Sequence, residues 1–400
     1  MHNIIIIAAE PWEHYTWRRR HHVAWNLAKK NRVLFVEPPL TLFNPFFDIN
    51  LSWKHLLNLG RLKRQGHNLY SYSPWRRYPL SLPLSSIFDY KKINQDDAIK
   101  GVVKVVKRLG FKNPILWIYY HPYHYDYYGI FNEKIVVTDW YDKFTAPAGI
   151  DIPKDAMDKI RDREDRILKR ADIVFAVSKK LADDLRAKNG NVYVIPQGVD
   201  VDSFTNITDR DKKSAAKRLG RIKRPLLGFL GIMHSKVDFN LLNYIAEEKP
   251  DWSILLMGKE WLWNNADIES YRKLRCRKNV FYTGELKKES IPAYLTHMDV
   301  CLLPLKNTEF NRFSNPLKLC QYLAAGKPIV AVDLGIKYDF HEFIKITYDK
   351  DEFIMKIEEC LNEACDEGLS TRRKEVAGDN SWGKRVESML EIINKKIEYA

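Results

Sequence analysis

Short apolar runs rich in β-branched residues alternate with amphipathic stretches along the chain. Residues 4–8, 33–36, 114–119, 134–139, 173–177 and 192–196 read as strands, with helical stretches at 23–30, 97–109, 156–170 and 179–188. The alternation resumes further on, with strands at 225–231, 252–257, 280–284, 300–305 and 329–332 and helical stretches at 291–299 and 317–325. Strand–helix–strand order predicts parallel sheets that bind ligands at their carboxyl ends. The expected architecture is therefore α/β with two doubly wound sheets. Residues 1–205 form the first and 223–381 the second, joined by a polar, lysine-rich linker at 206–222. Residues 382–400 read as a further amphipathic helix.

Four hundred residues exceed one typical core, in keeping with two domains. No run of about 18 apolar residues occurs, so no membrane-spanning helix is predicted. The opening MHNIIIIAAE is too short an apolar run, and lacks the basic start, for a signal peptide. Five cysteines without a C-x-x-C pair suit reduced thiols in a cytoplasmic protein. The net charge of +14 admits nucleic acid, an anionic membrane face or anionic substrates as partners. Residues 41–80 hold six Lys/Arg against one Asp, mixed with Phe43, Phe46, Phe47, Trp53 and Trp75. That mixture fits an interfacial surface, and the plainer alternative is a basic insertion covering the sheet. With no recognisable nucleic-acid-binding motif, nucleic acid is not an expected partner.

Candidate chemistry gathers at strand ends. Pro316 suits a first helical turn, Gly326 ends that helix, and Lys318 adds a charge at its positive dipole end. A diphosphate fits such a place, although an ordinary αβ unit with a solvent-facing lysine would read the same way. Gly231 ends a strand and permits close approach of a phosphate, with His234 and Lys236 just beyond. Gly258 and Thr283 end the next two strands, and the loop 307–314, with Glu309, precedes Asn315. In the first half, Arg20 and His22 open the first helix. His121 and Tyr123 lie in HPYHYDYYG, an aromatic pocket wall or a well-packed loop. The H-x-x-H-x-D spacing of His121, His124 and Asp126 is a weak metal signal, and no metal is expected. Asp139 and Asp142 end a strand, where a carboxylate can take a proton from an attacking hydroxyl. One of the two is expected to be structural, and Asp142 is the candidate base.

Several of these strings resemble GT-B glycosyltransferases. Residues 316–328 (PLKLCQYLAAGKP) are similar to the P-x-K-x-x-E-Y-L-A-x-G-x-P pattern of glycosyltransferase family 4, and of teichuronic-acid-type enzymes in particular. Residues 196–204 (PQGVDVDSF) resemble the P-N-G-V-D-x-x-x-F signature, with Gln197 for asparagine. Asp139 and Asp142 fall on the acids of a Y-D-x-x-D-type stretch, and SWGKR on an S-W-x-x-R-type helix. The resemblance implies two Rossmann-like domains facing across a cleft, with helix 382–400 crossing back to complete the first. It implies a UDP-sugar donor on the second domain, held by Gly231, His234, Lys236, Gly258, Thr283, Glu309, Asn315, Lys318 and Gln321. The acceptor, a glycan or lipid-linked glycan, would meet Arg20, His22, His121 and Tyr123 at the cytoplasmic membrane face.

One departure stands out. The paired glutamates of retaining family 4 enzymes are Phe313 and Gln321 here. Lys318 with Gln321 resembles instead the L-K-x-x-Q arrangement of the xanthan glucuronosyltransferase, which points to UDP-glucuronate or a UDP-hexose. Competing readings are a nucleotide-sugar binder without turnover and a basic nucleic-acid-binding protein. An epimerase is disfavoured because the first βα turn lacks G-x-G-x-x-G.

Overall fold

The computed structural model describes residues 1–13, 17–39, 58–78, 90–120, 126–146 and 152–399. The first sheet contains β1 (Asn3–Ile7), β2 (Arg32–Val36), β3 (Leu62–Arg64), β4 (Leu69–Tyr72), β5 (Ile115–Tyr119), β6 (Ile135–Trp140), β7 (Ile173–Ala176) and β8 (Val192–Val194). Their order is β3-β4-β2-β1-β5-β6-β7-β8, parallel except for β3 against β4. The second contains β9 (Leu226–Leu230), β10 (Ser253–Met257), β11 (Val280–Gly284), β12 (Val300–Leu303), β13 (Ile329–Val332) and β14 (Ile344–Thr347). It is wholly parallel, in the order β11-β10-β9-β12-β13-β14. Helices cover both faces, which is why the central strands are apolar throughout: β5 (ILWIY) and β9 (LLGFL) are buried at every position. Strand order reverses beside β1 and beside β9, and each reversal opens a crevice at the carboxyl ends.

The segment 206–222 carries more structure than its polarity suggests. Asp209–Leu219 is a helix, capped by Thr208 Oγ1 accepting from the Asp211 amide at 3.1 Å. Its Ala215 and Leu219 are buried in the core of the second half. An amphipathic helix with few apolar positions looks like a linker in sequence because only one narrow stripe is apolar.

Two features interlock the halves. Helix Trp382–Glu398 follows the second half but buries Trp382, Val386, Met389 and Ile393 with Val23, Ala24 and Leu27 of the first. In return Phe313 leaves the second half and packs among Tyr120, Trp140 and Leu181 of the first. Ser178 Oγ donates to the Phe313 carbonyl at 2.7 Å, and the Gln197 amide donates to Asn315 Oδ1 at 3.2 Å.

Among the described residues no helix is long and apolar enough to cross a membrane. The five cysteines are free thiols. Much of the basic, aromatic stretch 41–80 lies outside the described residues. Within them, Lys63 pairs with Glu13 at 2.9 Å and Trp75 is exposed.

Trp382 is 1% exposed. Trp382→Ala should therefore lower stability by about 3–5 kcal/mol in chemical denaturation. A loss below about 1 kcal/mol would mean that the crossing helix is not part of the first core.

Candidate active site

A cavity of about 510 Å³ lies between the halves. Trp17, Arg18, His22, Asp200 and Phe204 line it from the first half. From the second come Gly231, His234, Gly258, Glu285, Lys288, Lys318 and Gln321.

Its floor is shaped by two glycines after β9 and β10. Gly231 has φ +154, and a Cβ there would sit 2.3 Å from Lys318 Cε. Gly258 has φ +148, and a Cβ there would sit 2.0 Å from the Gly231 carbonyl oxygen. Conformation and space both require glycine at these positions. The bare backbone therefore lies directly against the Lys318 side chain, which comes from the first turn of helix Leu317–Ala324.

The charges here are unbalanced. Burial, with Lys236 and Arg18 nearby, pushes the Lys318 ammonium down to about 8. Burial likewise lowers Lys236, against an opposing pull from Asp142, and its Nζ sits 3.6 Å over the Phe310 ring. Neither lysine has an ion-pair partner among the described residues. His234 Nδ1 accepts the Lys236 amide hydrogen at 3.0 Å, which leaves the ring proton on Nε2. Burial, then Lys236 and Lys318, push its pKa down to about 3, so the ring is a neutral donor. Two cations, a neutral N–H donor and a helix start converge where β9 and β10 end. An anion with several oxygens is the ligand that satisfies such a set.

Three consecutive arginines perform three different tasks on the facing side. Arg18 pairs with Glu10 at 2.8 Å and reaches the cavity wall. Arg19 is buried, with Nε 2.9 Å from both oxygens of Asp139 and Nη1 donating to the carbonyls of Ile195 and Pro196. Arg20 lies under the wall, 3.3 Å from Glu10 and 4.7 Å from the Tyr141 ring centroid. Asp142 lies within electrostatic reach of Lys236, Arg18 and Arg20. Burial raises its pKa, those three cations pull it down, and Glu10 raises it again.

Of the residues expected at the site, the structure brings Gly231, His234, Gly258, Lys318 and Gln321 of the second half and His22 of the first around one cavity. Lys236 and Asp142 face each other just behind it. Others lie elsewhere. Asp139 is 0% exposed and committed to Arg19, so it braces the first half and does not face the cleft. Thr283 is buried, its hydroxyl donating to the Gly284 carbonyl at 2.8 Å. Asn315 is used in the contact to Gln197, and Glu309 is exposed, 3.8 Å from Lys143. Arg20 supports the wall from beneath. His121 and Tyr123 lie outside the described residues.

Sequence reading passed over Arg18, Trp17, Glu285 and Lys288. Lys288 Nζ sits 3.7 Å over the Trp17 ring, a cation–π contact across the cleft. The run WRRRHH was visible, but which arginine faces the cleft depends on the helix starting at Arg19.

The chain has the GT-B fold: it aligns with sucrose-phosphate synthase from Thermosynechococcus elongatus over 100% of both chains, with TM-score 0.70 and 14% identity. It aligns with Anabaena Alr3699/HepE in complex with UDP-glucose over 99% of this chain and 100% of that one, with TM-score 0.63 and 13% identity. Residues 224–363 match the family described as glycosyl transferases group 1. The chain is also 30% identical over 233 residues to the putative teichuronic acid biosynthesis glycosyltransferase TuaH of Bacillus subtilis (strain 168). That match covers 56% of this chain and 57% of the relative's length.

Lys318 is charged below about pH 8 and neutral above it. Affinity for UDP, measured by calorimetry, should fall as pH rises through 8. Lys318→Met should weaken binding roughly 10- to 100-fold and flatten this dependence. In the ligand-free protein the sign reverses. Folding depresses this pKa from 10.5, so the ammonium costs stability below pH 8, and the cost lifts between 8 and 10.5. Lys318→Met should thus raise the melting temperature at pH 7 while weakening UDP binding. A lowered melting temperature with unchanged UDP affinity would make Lys318 a structural residue.

Proposed function

We propose that the protein is a glycosyltransferase that moves a sugar from a UDP-sugar, UDP-glucuronate or a UDP-hexose, to a glycan or lipid-linked glycan without a metal ion. The observation that carries this reading is Lys318, partly dehydrated, without a salt bridge among the described residues and held against the bare backbone of Gly231, with Lys236 near it. Support comes from solved structures of the same fold holding UDP and UDP-glucose, and from the likeness to a teichuronic acid glycosyltransferase. Gln321 on the cleft wall offers an amide to a ribose hydroxyl or phosphate, where an acid would repel the phosphate. This suits the donor classes named.

The chemistry follows from charge development. As the bond from the sugar to the diphosphate breaks, negative charge grows on the leaving oxygen. Lys318, Lys236, the start of helix Leu317–Ala324 and the His234 Nε2–H are already oriented toward such charge and need little reorganisation. These cations take the part a divalent metal plays elsewhere. Asp142, on the facing half, accepts the proton of the attacking hydroxyl, and burial raises its basicity for that task. Approach of the halves excludes water and aligns hydroxyl with anomeric carbon. A lipid-linked acceptor places the enzyme peripherally at the cytoplasmic face of the membrane.

Asp142→Asn should lower kcat about 10²- to 10⁴-fold in a UDP-release assay and abolish the acidic limb of the pH–rate profile. UDP affinity should stay within about twofold of wild type. A chelator should leave the wild-type rate unchanged. Retention of more than about a tenth of kcat by Asp142→Asn would remove the base from this residue. UDP binding without release against any glycan acceptor would favour a nucleotide-sugar binder.

A further inference from the structure

Behind the cleft lies a second chamber of about 470 Å³, on the side where the chain passes between the halves. Trp17, His22, Val199, Asp200, Lys288 and Trp382 line both cavities. His22 stacks on Trp382 with centroids 5.2 Å apart and planes 8° apart, so part of the shared lining is a packed aromatic pair. The chemistry described above uses none of the chamber's far side.

That far side has an unusual composition. Trp25 stands 42% exposed on its rim, the indole 5.8 Å from that of Trp17. Asp200 and Asp202 line it without a salt bridge among the described residues, and Lys29 and Lys288 of the same lining lie within electrostatic reach of Asp200. Asn26 gives its amide N–H to the His22 carbonyl at 2.9 Å, which leaves its oxygen as an acceptor.

The floor is glycine in two places where the fold does not need glycine. Gly378 lies in helix Glu367–Asp379 and Gly383 in helix Trp382–Glu398, and neither has a positive φ. A Cβ on Gly378 would meet nothing within 4 Å. One on Gly383 would meet only Asn26 Oδ1 and Ser381 Oγ at 3.9 Å. Each lies one residue in from an end of its helix and leaves that part of the chamber's floor without a side chain.

We propose that this chamber is a second glycan subsite, in which a pyranose ring of a neutral oligosaccharide lies on Trp25 and gives its hydroxyls to Asp200, Asp202 and Asn26. An exposed indole matches the apolar face of a pyranose, and carboxylates are strong acceptors for paired hydroxyls. Asp200 and Asp202 share the chamber with Lys29 and Lys288, so its charge is close to balanced, which suits a neutral ligand. The proposal rests on the glycosyltransferase reading only for the class of ligand. The site would hold a sugar of the growing or finished chain away from the reacting centre.

The test is titration of the full chain with maltotetraose and with cellotetraose, each with and without saturating UDP, followed by saturation-transfer NMR and tryptophan fluorescence. Binding of at least one tetraose that persists with UDP present is expected. Trp25→Ala and Gly383→Leu should each weaken it roughly tenfold or more. Gly383→Ala should fold with an unchanged or higher melting temperature, confirming that glycine is not needed there for the fold. Should Gly383→Leu fail to fold, the exposed Trp25 still decides the matter. The proposal is overturned if neither tetraose binds, if binding survives Trp25→Ala, or if UDP displaces the tetraose, which would put it in the main cleft. Failure of the donor reading would appear separately, as no effect of UDP on wild-type melting.

Discussion

Positive charge held in a partly dehydrated crevice, without carboxylates to match it, is the constraint around which the second half is built. Lys318 could lie against the floor only because Gly231 and Gly258 have no side chains. Each glycine ends a strand of a fully parallel sheet, so the sheet's register sets the distance between backbone and ammonium. A helix start points at the same place, and a neutral imidazole completes the set. Lys318 is held without an acidic neighbour acting on it, although pairing it would be easier on the fold. That arrangement is stable only as long as the rest of the domain is strong enough to carry it.

The facing half solves a different problem with the same kind of residue. Arg19 is fully paired, with Asp139 and two carbonyls, and acts as a brace between β6 and the segment after β8. Arg18 and Arg20 share Glu10, so the first half presents a nearly neutral wall across from a cationic floor. Asp142 lies just behind the cleft wall, within electrostatic reach of Lys236. Its environment is set by groups from both halves, Lys236 among them, so its basicity depends on how closely they approach.

Much of the fold was legible because parallel strands buried on both faces leave an unmistakable trace, as in ILWIY and LLGFL. The second half's share of the cavity lining was legible for a related reason: the glycines that follow β9 and β10, and the lysine at the start of helix Leu317–Ala324, are tied to element ends that periodicity locates. What failed was phase and commitment. In WRRRHH a shift of one residue exchanges a cleft arginine for a buried brace, and sequence alone does not fix the helix start. Asp139 and Asp142 differ by half a strand repeat, and only the pairing partner of Asp139, which comes from residue 19, distinguishes them. Asn315 and Thr283 look like ligand groups by type, but their hydrogen bonds are spent on Gln197 and Gly284. The polar helix at 209–219 was hidden by its composition.

Phe313 belongs to the core of one half, while Tyr322, a little further along, is anchored in the other. The Tyr322 hydroxyl accepts from the Leu230 amide at 3.0 Å and donates to the Leu302 carbonyl at 3.2 Å. Lys318 sits on the short span between these two moorings. Any widening of the crevice must stretch or tilt that span, and any pull on the ammonium is felt at both ends. Grip on an anion at Lys318 and separation of the halves are thus a single mechanical variable, read out at one side chain.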